Sequence, residues 1–262
     1  MPPLGALRSV AGRLRATPPY HAAVDLGAVA RRLLWQATRG ARPPVTSPDG
    51  LRRAFADAQA GAVCAHSLEE SLLVLDLVLA NTGVSGDLVE CGVYKGGMTA
   101  KLSLLAAALR RTLYAYDSYQ GLPDPHTYGT GDQIPTYAEK FRRGMRYRGG
   151  LAEVRATVFR YGALGHTEFR PGWFEESFAR ADGHPRTIAF AFVDVDLTLS
   201  ARQCFDFVWP RMPEGGILFC HEARDPGIVD ALIASGVAAH DAHGIGTGLG
   251  DAMPNLAWIR KR

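Results

Sequence analysis

Apolar positions along this chain follow two different periods, and the switches between them map its elements. From residue 67 to residue 80, Leu72, Leu73, Leu75, Leu77, Val78 and Leu79 form the wide apolar face of a helix. Ser67-Leu-Glu-Glu70 at its head fits a capping box, in which a hydroxyl and a carboxylate each take up a backbone N–H of the first turn. Beyond Gly83 and Gly86 the period shortens. Compact apolar runs at 88–91, 113–116, 188–193 and 217–220 read as strands, with further short strands at 166–169 and 255–259. Helical spacing returns between them at 98–109, 151–159 and 201–209. The run 188–193 holds no polar residue, which marks a strand buried on both faces.

Strands separated by helices predict an α/β fold: a doubly wound, mostly parallel sheet with right-handed crossovers. Pro18-Pro19 and the Gly- and Pro-rich stretch 40–48 interrupt the start of the chain. Residues 1–60 therefore read as a helical N-terminal extension, and 61–262 as the main domain.

Charge changes this picture little. The net charge is +3, and residues 1–56 carry nine Arg against two acids, Asp25 and Asp49. Yet 25 of the 29 basic residues are Arg, so the bias belongs to the whole chain and a nucleic-acid partner is not expected. No run of eighteen apolar residues occurs, so no membrane-spanning helix is expected either. Cys64, Cys91, Cys204 and Cys220 are scattered without a CxxC pair, which suits reduced thiols in a cytoplasmic protein.

In open parallel sheets, ligands bind beyond the carboxyl ends of the strands. Glu90, Asp117, Asp194, His221 and Glu222 all fall at such ends. The turn Gly92-Val-Tyr94-Lys-Gly96-Gly97 joins the first strand to a helix whose N-terminus offers free N–H groups. A dinucleotide site prefers GxGxxG here, whereas this turn has one Gly, three larger residues and then two Gly. Glu90 would repel a diphosphate and attract the cationic amino group of S-adenosyl-L-methionine (SAM). Asp117, 27 residues further on, can accept both ribose hydroxyls. The alternative is that Glu90 and Asp117 only cap neighbouring helices.

Five segments, GDLVECGVYKGGMT, YDSYQGLPDP, RPGWFEESF, FVDVDLTLSA and MPEGGILFCHEA, follow one another between Gly86 and Ala223. In this order they resemble the macrocin O-methyltransferase family. The resemblance implies a class I, Rossmann-like, SAM-dependent enzyme that methylates sugar hydroxyls of antibiotics, often as a homodimer with a divalent metal. By position it assigns Glu90, Gly92 and Tyr94 to the SAM loop, whose glycine turn also includes Gly96, with Asp117 and Ser118 at the ribose and Gly172 and Trp173 on the adenine side.

The family pattern has an Asp after the fourth strand and an Asp-Asp pair after the fifth, which together hold magnesium. Here Asp194 fills the first position, but His221-Glu222 replaces the pair. Three readings follow: a divalent ion on Asp194, Glu222 and His221; a metal-free general base at His221; or a site that has lost its chemistry. Asp196 can also cap the helix that follows it. The stretch 121–150, with Tyr128, Tyr137, Tyr147, Arg142, Arg143 and Arg146, is a candidate lid, and 240–250 a candidate acceptor loop. A dinucleotide-dependent oxidoreductase and a non-catalytic SAM-fold binding protein are the competing functions.

Overall fold

The computed structural model describes residues 45–123, 147–223, 225–237, 242–243 and 255–262. The chain divides into Met1–Pro43 and Pro44–Arg262, and only the second unit is described below. Most of the candidate lid and acceptor loop, including Tyr128, Tyr137, Arg142, Arg143, Arg146 and His240, lies outside the described residues, as does the expected extension up to residue 44.

The elements run α1 (Pro48–Gly61), α2 (Leu68–Ala80), β1 (Asp87–Cys91), α3 (Gly97–Leu109), β2 (Leu113–Asp117), α4 (Leu151–Tyr161), β3 (Thr167–Pro171), α5 (Phe174–Phe178), β4 (Ile188–Val193), α6 (Thr198–Val208), β5 (Ile217–Cys220), α7 (Pro226–Ala234), β6 (Ala242–His243) and β7 (Ala257–Arg260). The sheet order is β3-β2-β1-β4-β5-β7-β6. The first five strands pair in parallel, and β7 runs antiparallel to β5 and to β6. Chain direction across the sheet reverses between β1 and β4, where a doubly wound sheet opens its ligand crevice.

Alternate residues of each strand face opposite layers. Val89, Cys91, Ala191 and Val193 pack with Cys204, Phe205 and Val208 of α6 and Ile228 of α7. Leu88, Phe190, Phe192 and Phe219 pack against Leu51 and Phe55 of α1, Val74 and Val78 of α2, and Leu102 and Leu105 of α3. All six residues of β4 are buried, as its unbroken apolar run predicts. Helix α1, expected within the extension, is part of this second core.

Ser67 caps α2 as expected. Its Oγ accepts from the Glu70 N–H at 3.1 Å, and the Glu70 carboxylate accepts from the Ser67 N–H at 2.8 Å. Such a cap contributes about 1 kcal/mol, and here it also fixes where Glu70 points. The expected Asp196 cap does not form. Leu197 is the N-cap of α6, with no side chain capping it, and Asp196 adopts a left-handed φ of 58° instead.

Candidate functional site

A cavity of about 520 Å³ opens at the carboxyl ends of β1, β2, β4 and β5. Of the residues singled out from sequence, Glu90, Gly92, Tyr94, Asp117, Ser118, Trp173, Asp194, His221 and Glu222 line it. Gly96 and Gly172 do not form its wall. Gly96 takes a left-handed φ of 82° as the N-cap of α3, and Gly172 turns the chain between β3 and α5. Tyr94, Tyr147, Asp196 and Glu222 also line the cavity, and all four have positive φ without being glycine. Strained backbone of this kind concentrates at ligand sites, where the surrounding packing holds it.

The half of the cavity at β1 and β2 is built around two carboxylates. Glu90 is fully buried, and neither carboxylate oxygen makes a well-formed hydrogen bond among the described residues. Burial pushes its pKa well above the ordinary 4.5, against the smaller opposing pulls of the Thr99 hydroxyl and of His66. Burial thus works against the standing negative charge expected at this position. Asp117 uses both oxygens to hold backbone. Oδ2 accepts from the Val93 N–H at 2.7 Å and more weakly from Tyr94 at 3.4 Å, and Oδ1 accepts from Tyr119 at 2.6 Å. Burial pushes its pKa up, and these N–H donors oppose that shift. Asp117 therefore clamps the loop after β1 to the end of β2 at the cavity wall.

The half at β4 and β5 brings Asp194, His221 and Glu222 together. His221 Nδ1 lies 3.3 Å from Asp194 Oδ1 and 3.3 Å from Glu222 Oε1. Two further groups join them that sequence reasoning missed. His66 Nε2 lies 2.9 Å from Asp194 Oδ2, and Glu70 Oε1 lies 3.6 Å from His221 Nε2. The two imidazole rings meet edge to face at 4.8 Å. The backbone of His66 is tied to α1, because Gln59 Nε2 donates to its carbonyl at 3.0 Å. Gln59 in turn accepts from the buried Lys101. A signal for His66 exists in the sequence. It occupies the position just before an N-cap, where an apolar staple residue is common.

Burial alone would lower both histidines. Asp194 outweighs it at His66, which rises to about 9, and Asp194, Glu222 and Glu70 outweigh it at His221, which rises to about 12. Burial likewise raises Glu70, but His221 and the Ser67 N–H bring it down to about 2. Asp194, despite burial, is held far below the usual carboxylate range by His221 and His66. Asp194, Glu70 and the two imidazoles thus favour one another's charged forms. His66, Asp194 and His221 each place a ligand atom within 4.8 Å of the others, an arrangement able to hold a metal ion. Two imidazole nitrogens and a carboxylate do not fit magnesium, which prefers an all-oxygen, octahedral shell.

The family model for macrocin-O-methyltransferase matches residues 62–243. Among curated relatives, 8-demethyl-8-(2,3-dimethoxy-alpha-L-rhamnosyl)-tetracenomycin-C 4'-O-methyltransferase of Streptomyces olivaceus is 30% identical over 169 residues, 60% of each chain. Mycinamicin III 3''-O-methyltransferase of Micromonospora griseorubida is 31% identical over 172 residues, 58% of this chain and 65% of that one. Demethyldecarbamoylnovobiocin O-methyltransferase of Streptomyces niveus is 32% identical over 154 residues, 57% and 56% of the two chains. The matches thus span less than two thirds of each of these relatives. In fold, the chain is similar to the O-methyltransferase NovP, with a TM-score of 0.61 and 23% identity over 82% of this chain and 97% of that one. CalS11, a calicheamicin methyltransferase, gives a TM-score of 0.52 at 17% identity over 92% and 94%. These neighbours share the doubly wound class I fold described above, and with a match across residues 62–243 the chain belongs to the macrocin-O-methyltransferase family.

Proposed function

We propose that this protein transfers the methyl group of SAM to a hydroxyl of a small molecule, a sugar of a glycosylated natural product. One observation carries the reading. A single cavity wall runs from Glu90 and Asp117 to Asp194, His221 and Glu222, so cofactor and acceptor groups would share one enclosed space. The sugar acceptor follows from the relatives, whose names specify rhamnosyl-tetracenomycin and mycinamicin methylation.

In this reading Glu90 receives the amino group of SAM and gives up its proton as the cation seats. Asp117 accepts from the ribose hydroxyls, Ser118 stands beside it, and Trp173 flanks the adenine. Gly92, Tyr94 and Gly96 shape the loop over the methionine part of the cofactor, and Gly172 sets the turn that presents Trp173.

The sulfonium is already activated, so the protein has to align the acceptor and take its proton. The hydroxyl oxygen attacks the methyl carbon, the carbon–sulfur bond breaks, and S-adenosylhomocysteine leaves. The positive charge that His221 carries or holds stabilises the forming alkoxide, which leaves it no role as the base. Both oxygens of Asp194 face imidazoles. Glu222 Oε2 has no hydrogen-bond partner among the described residues and is the open proton acceptor.

We further place the enzyme in the cytoplasm as a homodimer. The four unpaired cysteines support the first and the family resemblance supports the second. Sedimentation analysis tests the dimer. The activity itself is tested by incubating the protein with SAM and a panel of glycosylated macrolides and aromatic polyketides. The reading requires a one-methyl mass gain on the sugar. No methylated product from any acceptor, together with no SAM binding, refutes it.

A further inference from the structure

The magnesium expected from the family pattern and the donors present in this cavity disagree, and the disagreement is organised. His66 Nε2 and His221 Nδ1 lie 2.9 and 3.3 Å from the two oxygens of Asp194. Neither nitrogen makes a hydrogen bond of acceptable geometry, although both are buried.

The opposite ring nitrogens each have an acceptor nearby. His66 Nδ1 faces the Cys64 sulfur at 3.8 Å, and His221 Nε2 faces Glu70 Oε1 at 3.6 Å. Metal-bound histidines are commonly held this way, with an acceptor on the far nitrogen fixing the tautomer and the ring angle. Glu70 is itself fixed by the capping box, its other oxygen accepting from the Ser67 N–H. The helix cap thus places a fixed carboxylate beside His221.

Spacing agrees with this pattern. Ligand bonds of about 2.1 Å set ligand–ligand edges of roughly 3.0 Å in an octahedron and roughly 3.4 Å in a tetrahedron. The His66–Asp194 and His221–Asp194 separations fall close to that range, and all three ligand atoms lie within 4.8 Å of one another, against the roughly 4.2 Å that two opposite ligands of one ion span. Glu222 Oε1, at 3.3 Å from His221 Nδ1, stands at the next position.

We propose that His66 Nε2, Asp194 and His221 Nδ1 hold a first-row divalent ion of the imidazole-accepting class, such as Zn²⁺, Mn²⁺, Fe²⁺ or Co²⁺, and that magnesium is not the resident ion. Asp194, Glu222 and Glu70 compensate the charge of such an ion as they compensate the imidazolium rings. The inference rests on the methyl-transfer reading for the use of the ion and on geometry alone for its presence.

The experiment titrates chelator-stripped, full-length protein with Co²⁺ in the visible spectrum, and with Zn²⁺, Mn²⁺ and Mg²⁺ by calorimetry. SAM binding and methyl transfer are followed in the same samples. One Co²⁺ per chain with nitrogen-coordinated absorption bands is expected, displaced by Zn²⁺ and not by millimolar-range Mg²⁺. His66→Ala should weaken Co²⁺ by more than about tenfold, and Glu70→Gln, which keeps the capping box, by about 10–100-fold. The double variant His66→Asp with His221→Asp should shift preference to Mg²⁺. Retained SAM affinity reports that each variant is folded.

Absence of Co²⁺ and Zn²⁺ binding in protein that still binds SAM overturns the inference, and so does Mg²⁺ binding as tightly as Zn²⁺. If the ion is absent yet methyl transfer persists, the proposed function survives alone. If Co²⁺ binds as expected but SAM does not, the metal site stands and the methyl-transfer reading falls.

Discussion

A Cβ added to Gly92 would lie 1.7 Å from the carbonyl oxygen of Asp194. The loop after β1 and the end of β4 touch backbone to backbone there, and the Asp194 N–H also donates to the Cys91 carbonyl at 2.9 Å. The loop after β1 and the start of the turn that carries Asp194 are therefore one mechanical unit. Gly92 also has a φ of 86°, which strains any side-chain-bearing residue.

Gly92→Ala should consequently damage both halves of the site. A stability loss of about 2 kcal/mol or more is expected from combined strain and overpacking. SAM affinity and turnover should fall together. Thermal melting with calorimetric SAM titration checks this. A variant that loses turnover alone would show that the two halves move independently.

Asp117→Ala should weaken SAM by about 1–3 kcal/mol, because ribose hydroxyls and the N–H groups of Val93, Tyr94 and Tyr119 lose their acceptor. Asp117→Asn cannot restore both sides. Its amide nitrogen would face one of those N–H donors, so an intermediate loss is expected. Calorimetric affinities of the two variants decide it. Unchanged SAM affinity in Asp117→Ala would place the ribose elsewhere and leave Asp117 as a loop clamp only.

Glu90 makes a pH prediction. Its folded pKa is raised above the ordinary 4.5 by burial, so between those values the folded state binds more protons than the unfolded one. Stability from this group is then full below about pH 4.5 and falls as pH rises towards the folded pKa. Glu90→Gln should flatten that slope and raise the ligand-free melting temperature at neutral pH, while weakening SAM. SAM binding to the wild type should release a proton, seen as a binding enthalpy that changes with buffer. A buffer-independent enthalpy would mean that the SAM amino group does not draw the proton from Glu90.

The legible part of this molecule was the part encoded by local pattern. Capping by Ser67 and Glu70, the buried strand at 188–193 and the strand-end positions of Asp117 and Asp194 follow from neighbouring residues, and the structure contains them. His66 and Glu70 did not declare themselves as site residues. His66 reaches Asp194 across 128 positions of sequence, and Glu70 already had a sufficient explanation as half of a capping box. The state of Glu90 was missed for a related reason. Its charge depends on how completely α3 and the sheet cover it, which no local spacing encodes. Asp196 illustrates the reverse error, since a residue typed as a cap adopts a left-handed turn at the cavity instead.

Asp194 joins the two histidines, so its removal should have two separable effects. In the ion-free protein, Asp194→Ala leaves His66 and His221 buried without their shared carboxylate. Breaking a buried ion pair from one side typically costs about 3–5 kcal/mol. Glu222 and Glu70 still face His221. The penalty should therefore concentrate on His66, whose carboxylate partner among the described ion pairs is Asp194. A second replacement, His66→Ala in the Asp194→Ala background, should then recover part of the lost stability, as measured by denaturant unfolding. Methyl transfer should be abolished in both variants, while SAM affinity stays within about threefold of wild type, because Glu90 and Asp117 are untouched. Asp194→Asn keeps the shape and removes the charge. If it retains full turnover, the carboxylate serves only to pack the histidines, and the acceptor chemistry must be assigned to Glu222 without it.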